Sequence, residues 1–275
     1  MAEELLGYSG LVTKARAMRG RLLKREDFER ITEFQTVQET ISFLKEQESY
    51  GSIYGGHEEI QHRGQVEELI YHSIWEDYRK LYRFGNQSQR RVMELYLPQL
   101  QFQTMSSKVD AAYFVRIWKE IGRFSDKKAQ SILQEIFGTQ IDWLNIMWIY
   151  RAQHFFHQKP ESVRTILIPV HYKVRKEEIS QFLETEFSEE FEEILRNTVY
   201  FRGKGETVKI QDEISYHQVM EKMYRRICRK EPFSMAPVLY YFYLKELEIA
   251  HLTTALEGIR YQLSPKDIRK MILME

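Results

Sequence analysis

Apolar residues recur at three- and four-residue steps along most of this chain. Val66, Leu69, Ile70, Ile74, Tyr78 and Leu81 form one stripe from about Arg63, which predicts a helix that Gly85-Asn86 ends. The same reading predicts a basic helix over 10–23, a short one over 37–46, and others over 89–96, 109–122 and 126–137, the last stopped by Gly138. A further helix runs from Ile141 to about Gln158. An acidic one spans 176–196, and one with a basic end covers 216–230. The last long helix carries its apolar side through Ile249, Leu252, Leu256, Ile259 and Leu263. Tyr50–Gly56 reads as a turn, and Arg202–Ile210 (RGKGETVKI) is the one stretch suited to a small hairpin. The expected class is all-α, in one body.

Two of these segments resemble each other. Ile141–Ile166 and Tyr240–Ile272 each place an acid (Asp142, Glu248) three positions before an amide or imidazole (Asn145, His251). Each then stops at a proline (Pro160, Pro265) and reopens as a helix with an apolar–Arg pair, Val163-Arg164 or Ile268-Arg269. A weaker copy near the N-terminus aligns Leu23–Phe28 with Leu263–Ile268. A helix-break-helix unit used three times predicts a pseudo-symmetric body with repeats near 1–105, 106–200 and 201–275.

Composition narrows the function classes. Lys+Arg and Asp+Glu both number 40, so no net charge draws the chain to nucleic acid or an anionic membrane. One cysteine, Cys228, excludes an intrachain disulfide and fits a reducing compartment. No apolar run approaches the roughly 18 residues of a bilayer span, and Met1–Gly10 lacks the pattern of a secretion signal. The expectation is a soluble, cytoplasmic protein.

Candidate chemistry is sparse. His154 and His157 stand three apart with Glu161 beyond, but Pro160 intervenes and the third ligand does not follow zinc-site spacing. His57 and His62 are five apart, about 140° around a helix, too far to share a metal as in a metalloprotease helix. Gly203-Lys204-Gly205 lacks phosphate-loop spacing, and Cys228 has no nucleophile signature around it. The acidic run Glu184–Glu193 reads first as a solvated helix face. These absences predict no catalytic residue, no metal and no cofactor.

Gly138–Ile179 closely resembles the C subunit of bacterial and archaeal V-type rotary ATPases, known as the d subunit in eukaryotes. Tyr243–Ile268 resembles that family's closing motif, and Leu11–Ile31 its opening motif. The resemblance implies a funnel of three helical bundles that adapts the central shaft, made of D- and F-type subunits, to the membrane rotor ring. It implies transmission of torque for proton or sodium transport, without an active site. The family's repeat helices tend to carry Asn-x-Arg/Lys, whereas the corresponding pairs here are Val12/Lys14, Asn145/Met147 and His251/Thr253. With those helices placed around the axis, Lys14, Arg16, Asn145, Arg151, Glu248, His251 and Arg260 become the expected shaft socket. The rival readings are an unrelated helical interaction scaffold and, more remotely, a metal-dependent helical enzyme using His154 and His157.

Overall fold

A computed structural model describes residues 2–54, 63–104, 111–185, 188–202 and 213–272. Among these residues every regular element is a helix, as the apolar periodicity predicts. Residues 1–107 with 233–275 form one compact unit, and residues 108–232 form another. The first unit opens with α1 (Ala2–Arg19), α2 (Arg25–Thr32), α3 (Val37–Glu46), α4 (Gly51–Tyr54), α5 (Arg63–Phe84) and α6 (Gln87–Thr104). The second holds α7 (Ala111–Gly122), α8 (Lys127–His154), α9 (Pro160–Ile166), α10 (Lys176–Glu184), α11 (Ser188–Asn197) and α12 (Glu213–Lys230). The chain then returns to the first unit with α13 (Ala236–Arg260) and α14 (Pro265–Ile272).

One long helix organises each unit. In the first, α13 packs against α1, α2, α3, α5, α6 and α14. So many neighbours require apolar residues on every side. Val238 to Tyr243 are accordingly all buried, where the sequence pattern predicts a one-sided helix. Tyr96 and Tyr78 stack on Phe242 at 5.7 and 5.9 Å between ring centroids, a geometry that adds to the burial of apolar area. In the second unit α8 takes the central place, against α7, α9, α10 and α12.

Several boundaries differ from expectation for identifiable reasons. Gly138 stops nothing, and α8 runs through it for 28 residues. A Cβ there would lie 2.7 Å from Cδ1 of Tyr172, so the glycine makes room for that ring. The acidic segment expected as one helix is two, α10 and α11, because Thr185 is extended at ψ 132°. Helix α6 continues through Pro98. Gly51–Tyr54 forms a helical turn, and α1 begins well before Gly10. The RGKGETVKI segment beyond Arg202, and the His57–His62 motif, lie outside the described residues.

The short helices that follow the breaks share one start. Phe28, Val163 and Ile268 each occupy the fourth position of α2, α9 and α14, and each is buried. The third position caps in two of them. Asp27 accepts from the backbone N–H of Lys24 at 2.7 Å, and the Ser264 hydroxyl donates to Asp267 at 2.6 Å. Helix α10 repeats the device unforeseen. Glu178 accepts from the Arg175 N–H at 2.8 Å, and Ile179, the next residue, is buried.

Candidate functional site

The seven expected socket residues divide by exposure. Arg16, Arg151 and Arg260 are exposed, Lys14 and His251 half-buried, and Asn145 and Glu248 buried. Lys14 and Arg16 leave α1 about 200° apart, at opposite margins of the buried face formed by Leu11, Val12, Ala15 and Met18. Lys14 stands 5.8 Å from the Phe84 ring and Arg16 5.8 Å from that of Phe233. The His251 ring meets Phe28 edge-on at 5.5 Å. Arg151 lies in the last turn of α8, and Arg260 ends α13, 5.5 Å over the Tyr261 ring.

The two buried members work inside their own units. Asn145 donates to the Ile168 carbonyl at 2.9 Å and accepts from the Ile168 N–H at 2.8 Å, which holds the strap after α9 against α8. Glu248 accepts from the Leu23 N–H at 2.5 Å, the Tyr50 hydroxyl at 2.7 Å and the Lys245 ammonium at 2.7 Å. Lys245 has no exposed side-chain surface, lies within 2.8 Å of the Tyr50 oxygen, and sits 4.0 Å over the Tyr50 ring. A charge in the protein interior needs such partners. This carboxylate ties α13 to the turn before α2 and to Tyr50, the residue just before α4.

The second unit repeats the construction around Asp142. Its carboxylate accepts from the backbone N–H groups of Tyr172, Lys173 and Val174 at 3.1, 2.8 and 3.0 Å, and from the Tyr200 hydroxyl at 2.7 Å. This ties α8 to the strap leading into α10 and to the residues after α11. Tyr200 also shares a hydrogen bond with the Thr139 hydroxyl. Burial pushes the Asp142 carboxyl above its ordinary value, against the pull of its four donors. It raises Tyr200 as well, with Asp142 reinforcing the shift.

The sequence pairing of Asp142 with Glu248 therefore describes two equivalent buried clamps. Their tyrosines, Tyr50 and Tyr200, and the cation Lys245 were not foreseen. The available signal was a Lys and a Glu three apart inside a segment with no polar side. Among the described residues no group of three His, Cys, Asp or Glu side chains is placed to hold a metal. His154 ends α8, and His157 lies in the following turn at φ 49°. Burial, then the neighbouring His157, lowers the His154 pKa.

The profile of the ATP synthase (C/AC39) subunit family matches residues 11–103 and 97–271. The chain belongs to that family. Its matches take in the opening, central and closing motifs, both long helices and both clamps. The C subunit of the A-type ATP synthase of Methanosphaera stadtmanae is 25% identical over 182 residues, which cover 62% of this chain. The matched stretch spans 46% of that relative's length, less than half. Among the described residues of this C/AC39 chain, no helix is long and apolar enough to cross a membrane.

Proposed function

We propose that this C/AC39 chain is the coupling element of a rotary ATPase, seated between the central shaft and the membrane rotor ring and carrying torque between them. The single observation behind this reading is a family match that runs from residue 11 to residue 271 through both units. The packing suits the task. A torque adaptor must resist deformation, and each unit is a close-packed set of helices around one long central helix. Buried charge clamps fix the short helices to those centres. Binding energy then comes from the protein's surfaces, and no step in this role requires a reactive group in the chain.

Within this reading the shaft contacts fall to the accessible members of the expected set, led by Arg16, with Lys14 and His251 beside their aromatic neighbours. Asn145 and Glu248 serve the framework. Arg16→Glu is expected to weaken shaft binding about tenfold, the effect of losing one useful interfacial charge, and to leave the thermal midpoint unchanged. Co-expression of the tagged full chain with shaft and ring proteins tests the assignment. The expected result is recovery of both sets with the tag. Recovery of neither would overturn it.

A further inference from the structure

A cleft of about 300 Å³ opens between α2 and α3, inside the first unit. Its floor is aromatic. Phe43 is buried and Phe34 half-buried, with ring centroids 5.8 Å apart. Glu39, Phe43 and Glu46 follow one another on α3 at steps of four and three, so they share one face of that helix. From the last turn of α2, Arg30 reaches over the same floor, with its guanidinium carbon 5.0 Å from the Phe43 ring centre. Gln38 stands on the rim.

The charged neighbours of this cleft are paired, and the groups that line it are not. Arg25 bonds Glu29 at 2.9 Å, Arg269 bonds Glu33 at 3.1 Å, and the Gln35 backbone N–H donates to Glu39 at 2.9 Å. Among the described residues, the side chains of Arg30, Gln38 and Glu46 enter no hydrogen bond or ion pair. Arg30 and Glu46 carry opposite charge and line one cleft without closing on each other. A cation, a carboxylate and an amide left free around an apolar floor are the parts of a small-molecule site, in which a few polar groups fix the orientation of an apolar ligand.

We infer that the α2–α3 cleft binds a free amino acid with an aromatic or large apolar side chain. Its carboxylate meets Arg30, its ammonium meets Glu46, and its side chain lies on the two phenylalanine rings. Charge selects this class. Two carboxylates on the lining oppose a phosphate or any other plain anion, and Arg30, already over the Phe43 ring, opposes a plain cation there. A zwitterion satisfies both demands. A guanidinium offers a carboxylate two parallel donors, which fixes the ligand's orientation as well as its charge. Size agrees, because about 300 Å³ is the small end of ligand sites and suits one amino acid better than a nucleotide. Every residue involved lies in the first unit, so the inference does not depend on the coupling role.

The test titrates the full chain with L-phenylalanine and reads binding by calorimetry and by saturation-transfer NMR. An open cleft and a ligand of about a dozen non-hydrogen atoms set a dissociation constant on the order of 1 mM. Phenylalaninamide, which lacks the carboxylate, and N-acetylphenylalanine, which lacks the ammonium, should each bind about tenfold more weakly. Arg30→Gln should weaken phenylalanine about tenfold and make it bind no better than its amide. Glu46→Gln should do the same relative to the N-acetyl compound. The thermal midpoint of both variants should stay near the wild-type value, because both side chains are exposed and unpaired. No saturable binding of phenylalanine at about tenfold above the expected constant would overturn the site. Wild-type affinity in both variants would place the ligand elsewhere and overturn it equally. Full affinity for N-acetylphenylalanine would replace the zwitterion with a plain carboxylate.

Discussion

The two units solve one packing problem with different electrostatics. Each hangs a short capped helix and a tyrosine from a buried carboxylate on its central helix. In the first unit Glu248 accepts from the Leu23 N–H and the Tyr50 hydroxyl, and in the second Asp142 accepts from the Val174 N–H and the Tyr200 hydroxyl. The residue three positions earlier differs, Lys245 in the first and Thr139 in the second. Lys245 supplies a full positive charge to its carboxylate, whereas Thr139 carries no charge and its hydroxyl meets the tyrosine. Asp142 is held by two further backbone N–H groups, and its pKa is pushed up by burial. A buried carboxylate can thus be satisfied by one cation or by a nest of dipoles. The two choices respond differently to mutation and to pH.

Removing the cation should have the largest effect. Lys245→Met leaves Glu248 buried without its counter-charge, at an expected cost of about 3–5 kcal/mol. Adding Glu248→Gln should restore most of that loss, because the charge leaves with its partner. Chemical denaturation of both variants checks this, and a double variant no more stable than the single would refute the ion-pair account.

Asp142→Ala strips one acceptor from three backbone N–H groups and a hydroxyl. We expect a loss of about 3 kcal/mol, the cost of leaving buried donors unmet, with amide exchange at residues 172–174 accelerating most. Smaller effects should follow from the tyrosines. Tyr50→Phe and Tyr200→Phe should each cost about 1–2 kcal/mol, and Tyr50→Phe more than Tyr200→Phe, since the Tyr50 oxygen also serves the Lys245 ammonium.

The smallest expected effect is one of pH. Because burial raises the Asp142 carboxyl above 3.8, the folded second unit holds that proton more tightly than the unfolded chain does. Its stabilising contribution is fully present below the unfolded value and is lost as pH rises through the folded one. Protection of the 172–174 amides should therefore be greater in mild acid than at neutral pH, and Asp142→Asn should flatten the dependence. An unchanged slope in that variant would assign the titration elsewhere.

The chain's apolar rhythm made the helices legible, and the helix-break-helix alignment found the shared position of Phe28, Val163 and Ile268. Asp142 and Glu248, paired in the sequence, are both buried acceptors on a long helix. The burial of Glu248 itself could not be read, because α13 is surrounded and a helix buried on every side has no polar face. The long-range partners were invisible for a related reason. Tyr50 lies 198 residues from Glu248 and Tyr200 58 from Asp142, and no local pattern records such pairs. Gly138 misled because a glycine that admits the Tyr172 ring looks, in sequence, like one that ends a helix. Gly258 has the same use, since a Cβ there would lie 2.7 Å from Cγ1 of Ile268. Ala152, another small residue, holds the corresponding place ten residues after Asp142.

Bridging tests the central claim most directly. Tagged shaft proteins and untagged rotor rings are mixed with and without the full chain, and the ring retained by the tag is measured. The ring should be retained only when the chain is present, and Arg16→Glu should reduce retention through the shaft side. Equal retention of the ring with and without the chain would contradict the coupling role.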